Sequence, residues 1–371
     1  MDNTYRIKIA FVLWSLSAMG GSEKVVYDIA RKIDKTRFDP IIIAYEDGPI
    51  RSLYAEIGIK TFVIVKKAKY DYFKFITQIR KVLTSEKVDI VNAHHFSPLL
   101  YSYMATRLSK IKVVYTEHSR WQIEQLSFVK KIINRIILAG TEATVAISNQ
   151  IYDYYLNKLK LNRKHVFPIS NGIEIEAFQI TKNNKMRKKL GIAATDLIIG
   201  IVANIRPEKN HKLLISVFSK LQRLRENVKL LIVGKDLMNG EVHSFAQLSE
   251  CSNKIIFLGK RDDIPELISC FDIFCLPSLY EGLPISVLEA MATCVPVVGS
   301  DVVGINEVIR HNTNGLLFPS NDRDKLLDCL LVLIDDHKLR QRIANTGRQY
   351  VEKNYSIDEK IVQYEELFRQ I

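Results

Sequence analysis

Most constraining for the fold is a repeated alternation of short apolar runs with segments of helical period. In the first half the runs are Ile7–Leu13, Pro40–Tyr45, Lys60–Val65, Asp89–Ala93, Lys112–Thr116, Thr144–Ser148 and His165–Pro168, with amphipathic patterns such as Glu23–Ile33, Tyr72–Leu83 and Phe128–Leu138 between them. Runs this short, bounded by turn residues, read as buried strands, and strand–helix alternation predicts a parallel sheet wound with helices on both faces. A lysine-rich segment, Thr181–Lys189, reads as an exposed connector with a short helix. The alternation then restarts at Leu197–Ala203, Lys229–Val233, Lys254–Leu258, Phe271–Leu276, Val295–Val298 and Gly315–Phe318. Two doubly wound α/β domains are therefore expected, residues 1–180 and 181–355, facing across a cleft, with a last helix in 356–371 that no strand follows.

A length of 371 residues suits two such domains. The net charge of +12 is uneven: residues 1–180 carry 27 basic and 17 acidic side chains, residues 181–371 carry 26 and 24. A basic first half points to an acidic partner, and with no nucleic-acid module in the sequence that partner is an anionic lipid surface or a phosphorylated acceptor. Five cysteines, all in the second half and without metal-ligand spacing, read as buried thiols of a reducing compartment. Ile9–Met19 imitates a signal peptide behind Arg6 and Lys8 but is too short to span a bilayer and leads into Gly20–Gly21 and a helix. It reads as the first core strand, and the protein as cytoplasmic.

The densest chemistry lies in Phe271–Ile309. Phe271–Leu276 is a strand, Gly282 and Pro284 break the backbone, and from Ile285 the positions Val287, Leu288, Met291 and Ala292 recur at helical spacing. Glu281 stands in the loop at the carboxyl end of the strand, where open α/β sheets bind ligands, and Glu289 in the helix that follows. From Pro277 to Val298 this block, with its E-x7-E pair, resembles without a gap the donor motif of retaining glycosyltransferases of the GT-B fold, the family 4-like "glycosyl transferases group 1". That resemblance implies two Rossmann-like domains, a C-terminal helix crossing back to the first, a nucleotide-sugar substrate and no cofactor or catalytic metal. It also implies that Glu289 holds the ribose hydroxyls, Glu281 the sugar hydroxyls, and Gly282, Leu283, Pro284 and Ile285 the donor through their backbone.

Other residues fit the same reading. Gly20 and Gly21 follow the first strand and let a backbone approach a phosphate; the family has a Gly-Gly turn there, beside the donor diphosphate. In Ala203–His211 two cations at a strand end would neutralise a departing diphosphate. Lys209 matches the family lysine, whereas the family arginine is replaced by Asn204 and the nearest arginine is Arg206. His118 closes a strand where the family places a histidine close to sugar and acceptor. His94 and His95 invite a metal reading, but no carboxylate or cysteine stands at ligand spacing. Asp322-Arg323-Asp324 precedes a helix and reads as its cap. Asn171-Gly172-Ile173 resembles the family's domain junction, Gly304 and Glu307 the turn after the donor motif, and Leu258, Gly259, Lys260 and Arg261 are the candidate base contacts. Lys66, Lys67, Lys69, Tyr70, Tyr72, Phe73 and Lys74, and Trp121 with Phe128, Lys130, Lys131 and Arg135, interleave basic and aromatic side chains, a pattern that suits an anionic membrane interface.

The expected function is a retaining, metal-independent transferase moving a sugar from a nucleoside diphosphate, UDP first, to a glycan or lipid-linked acceptor of bacterial surface glycan assembly, with peripheral contact to the membrane. A nucleotide-sugar epimerase or phosphorylase of the same fold, or an inactive nucleotide-sugar-binding protein, are the alternatives.

Overall fold

The computed structural model describes residues 5–17, 19–66, 71–118, 123–178 and 184–371. The chain forms two compact units: residues 1–172 with 357–371, and residues 173–356. The second unit is thus a continuous insert within the first.

The first unit is built on seven strands, β1 (Ile7–Ser15), β2 (Phe38–Glu46), β3 (Thr61–Val63), β4 (Ile90–His94), β5 (Lys112–Glu117), β6 (Ala143–Ala146) and β7 (Val166–Pro168). They pair in parallel in the order β3-β2-β1-β4-β5-β6-β7. Strands without alternation form because helices cover both faces: every residue from Ile9 to Leu13 is fully buried. The order reverses between β1 and β4, so ligand-binding loops are expected at their carboxyl ends. Helix Ile357–Gln370 completes this unit. Phe368 packs 6.1 Å from Phe11 and 6.4 Å from Phe38, Lys32 pairs with Asp358 at 2.9 Å, and the Asp34 N–H donates to Glu365 at 2.9 Å.

The second unit repeats the plan with β8 (Leu197–Val202), β9 (Val228–Val233), β10 (Ile255–Gly259), β11 (Ile273–Leu276), β12 (Val297–Ser300) and β13 (Leu316–Phe318), in the order β10-β9-β8-β11-β12-β13, also parallel. Its reversal falls between β8 and β11, whose loops carry Lys209 and Glu281. Gly200 in β8 has a steric reason: a Cβ there would stand 2.1 Å from the Phe271 ring.

One expectation is corrected. The described part of the lysine-rich segment is not an exposed connector: in helix Asn184–Lys189, Met186 and Arg187 are buried. Arg187 pairs with Asp272 at 3.2 Å and donates to the Cys270 carbonyl at 3.1 Å, because a buried guanidinium is costly unless it is paired and hydrogen-bonded. Residues 181–183 lie outside the described residues, as do Lys67, Lys69, Tyr70 and Trp121 of the basic aromatic stretches. Asp322 does cap its helix, accepting the Lys325 N–H at 2.9 Å. Among the described residues no helix is long and apolar enough to cross a membrane.

Candidate functional site

In the second unit the chain leaves β8 through Asn204, makes a tight turn over Pro207–Lys209, and enters helix His211–Leu224 by way of Asn210, whose φ of +54° is left-handed. It leaves β11 at Pro277 and starts helix Ile285–Ala292 after Pro284. These neighbouring loops bring Lys209 Nζ 2.6 Å from Glu281 Oε1. Ser278 Oγ donates to the same oxygen at 2.6 Å. Backbone bonds tie the loops together, Leu279 N–H to Glu208 O at 2.8 Å and Glu281 N–H to Val303 O at 3.2 Å, and the Ser300 hydroxyl donates to the Ser278 carbonyl. The Glu281 side chain is 10% exposed and Lys209 23%, so a carboxylate and an ammonium stand fixed together in a mostly dry place. Such a pair presents a localised cation to an anionic ligand and a preoriented acceptor to hydroxyls.

Arg206 is placed differently. Its side chain is half exposed and 3.9 Å from Glu208. Asn204, at the family's arginine position, has a structural task, since its Oδ1 accepts the Lys235 N–H at 3.0 Å across the β8 and β9 loops. Tyr280, Ser278 and Glu208 were not singled out from the sequence. The Tyr280 hydroxyl is pushed up by burial, then by Glu208 and Glu281, with Arg206 opposing, which puts these groups in one electrostatic cluster. His211 is buried beside them and is neutral at pH 7, pushed down to about 4 by burial and then by Lys209. Glu289 is buried within its helix, as is Leu283 in the loop before it. At the end of β10, Gly259 adopts φ +64°, Lys260 is exposed, and Arg261 is held by Asp263 at 2.8 Å.

In the first unit, Gly20 caps helix Gly21–Lys32, and the Glu23 carboxylate accepts the Gly20 N–H at 3.1 Å. The N-terminal turn that would meet a phosphate therefore already has an internal anion. At the other side of the switch point, His94 is the last residue of β4 rather than part of the loop. Its Nδ1 lies 2.7 Å from His118 Nε2 and its Nε2 2.9 Å from Asn92 Oδ1. Burial pushes His94 down to about 3 and His118 well below the ordinary imidazole value, with their histidine neighbours adding to it. His95, at φ +71°, turns instead to Glu117, 3.2 Å away. Glu117 also accepts the His118 N–H at 2.7 Å and the Tyr115 hydroxyl. A carboxylate does stand beside a histidine, then, but β5 supplies it in space. Next to it opens a cavity of about 260 Å³, lined by Trp14, His95, Pro98, Glu117, Ile123 and Lys130 among others.

The family model of glycosyl transferases group 1 matches residues 182–350, and that of glycosyltransferase family 4 matches residues 19–177. The UDP-Gal:alpha-D-GlcNAc-diphosphoundecaprenol alpha-1,3-galactosyltransferase of Escherichia coli is 24% identical over 99% of this chain and 98% of its own. The N-acetyl-alpha-D-glucosaminyl L-malate synthase of Bacillus anthracis is 25% identical over 85% and 83%. Anabaena Alr3699/HepE, solved in complex with UDP and glucose, superposes with a TM-score of 0.88 at 21% identity, covering 99% of this chain and 100% of that one.

Proposed function

We propose that this chain, which belongs to the GT-B-fold glycosyltransferases, is a retaining, metal-independent enzyme that transfers a sugar from a UDP-sugar to a lipid-linked acceptor of bacterial surface glycan assembly. The observation that carries the donor half is the Lys209–Glu281 pair at the switch point of the second unit. Lys209 neutralises the diphosphate as the glycosidic bond breaks, Arg206 adds a solvent-side cation, and Glu281 and Glu289 accept hydrogen bonds from sugar and ribose hydroxyls. Gly282, Leu283, Pro284 and Ile285 give backbone contacts to the donor, and Gly20 and Gly21 offer N–H groups once Glu23 is displaced. The departing phosphate takes the acceptor's proton. UDP is favoured as the nucleotide by the bound UDP of the HepE relative. A thermal-shift panel of UDP, GDP, ADP and CMP sugars tests this: stabilisation by UDP sugars alone is expected, and stabilisation by none of them overturns the reading.

The acceptor half rests on the first unit. Helix Phe128–Ala139 leaves Phe128, Val129, Ile132 and Ile136 exposed as one stripe, flanked by Lys131 and Arg135. An apolar stripe bordered by cations lies flat in an anionic membrane surface. Lys130 lines the cavity beside His95 and Glu117, which suits the head group of a membrane-anchored acceptor. The named substrate of the Escherichia coli relative is of this kind. In liposome flotation, binding to phosphatidylglycerol vesicles should exceed binding to phosphatidylcholine vesicles by roughly 30-fold, at about 1 kcal/mol for each of the two cations. Phe128→Glu combined with Ile132→Glu should abolish it. Equal partitioning to both vesicles would remove the membrane from the proposal.

A further inference from the structure

The hydrogen-bond chain behind His118 has a direction that its chemistry determines. Asn92 sits in β4 with its amide nitrogen 3.0 Å from Thr116 Oγ1 and 3.5 Å from the Val114 carbonyl. A carbonyl only accepts, so the NH₂ end faces β5 and Oδ1 faces His94. His94 Nε2 must then carry the proton, because Asn92 Oδ1 has none to give. A neutral imidazole carries a single ring proton, so His94 Nδ1 is bare and accepts from His118 Nε2–H at 2.7 Å. By the same count His118 Nδ1 is bare. It is buried and has no hydrogen-bond partner among the described residues.

We propose that Asn92 and His94 are positioning residues that fix His118 in its Nε2–H tautomer, so that Nδ1 is a hydrogen-bond acceptor reserved for a hydroxyl of the substrate. A phosphate or carboxylate oxygen cannot satisfy that atom, and the ring has no proton to offer it. His118 therefore orients a hydroxyl and acts neither as general acid nor as phosphate ligand. The surrounding ionisable groups agree with a neutral ring. His94 and His95 disfavour a further positive charge, while Glu117 is already engaged by His95, Tyr115 and the His118 backbone N–H. Burial of both rings works in the same direction.

The naming of the hydroxyl as the substrate's rests on the transferase reading; the tautomer does not, and the test separates them. Long-range ¹H–¹⁵N correlation spectra of ¹⁵N-histidine-labelled protein at pH 7 report ring protonation directly. His118 and His94 should both appear as single Nε2–H tautomers. His94→Phe should turn the His118 signal into a mixture of tautomers, whereas His94→Asn, whose Oδ1 falls where Nδ1 was, should restore the single form. A purely structural His94 would leave the His118 tautomer unchanged in both variants. A cationic or Nδ1–H His118 in the unsubstituted protein overturns the proposal whether or not any variant folds. Unaltered donor turnover in a His94→Phe enzyme with a mixed tautomer would withdraw the substrate hydroxyl while leaving the relay intact.

Discussion

Lys209→Ala is expected to lower kcat for donor cleavage by about 10²–10³-fold, the loss typical of deleting one preorganised group aimed at developing negative charge. The ammonium is 2.6 Å from Glu281 and mostly shielded, so no water can reproduce its position. The same substitution leaves Glu281 with the Ser278 hydroxyl as its side-chain partner among the described residues, and losing one member of a shielded pair costs up to about 3 kcal/mol here, the low end for buried pairs because Lys209 keeps some exposure. Stability and turnover can be told apart with Glu281→Gln, whose amide oxygen still accepts from Lys209 and Ser278. That variant should melt near the unsubstituted protein yet turn over donor slowly. Near-normal steady-state turnover by Lys209→Ala would sink the assignment of Lys209 to the leaving group.

Gly304→Ala should damage the fold and the donor loop together. Gly304 has φ +87°, and a Cβ there would lie 2.4 Å from the Gly282 oxygen and 2.7 Å from the Glu281 oxygen. Neither neighbour is a flexible side-chain tip; both are backbone of the loop that carries Glu281. Left-handed strain and overpacking together cost about 3 kcal/mol, which for a unit of this size lowers Tm by roughly 6–12 °C. Because the clash pushes on the loop itself, donor affinity should fall with the melting temperature, as differential scanning fluorimetry with and without UDP would record. Gly191→Ala is the control: its φ is also positive, at +67°, but no atom lies within 4 Å of the added Cβ, so it should lose the strain component alone and leave UDP binding unchanged. Equal effects on binding would show that steric pressure on the loop is not the cause.

The sheets were legible because parallel strands under two helical layers must be apolar throughout, and thirteen such runs stand in the sequence between turn residues. Helix His337–Asn354 was harder to see: four buried positions, Ile343, Ala344, Gly347 and Val351, are scattered among charges. In the donor loop, motif and chain neighbourhood coincide, so Glu281 and Lys209 could be named from residues alone, although not their 2.6 Å contact. The histidine relay was illegible for a physical reason. Asn92 and His94 meet Thr116 and His118 only through the β4–β5 register, which pairs His94 with Thr116 across an intervening helix. Separation along the chain carries no trace of that pairing. Arg187 shows the opposite error, since a run of cations reads as solvated while one of them holds buried carbonyls.

The insertion of residues 173–356 between two pieces of the first unit has a consequence for biosynthesis. The inserted unit is contiguous, so it has all its strands as soon as its own residues leave the ribosome. The first unit does not: Phe11 and Phe38 wait, with their apolar surface uncovered, for Phe368. The earliest-made sheet is thus the last to close, and the interval is as long as the synthesis of more than half the chain, time in which exposed apolar surface invites chaperone capture or aggregation. A truncation before Ile357 should therefore yield a well-folded second unit tethered to a first unit that binds holdases.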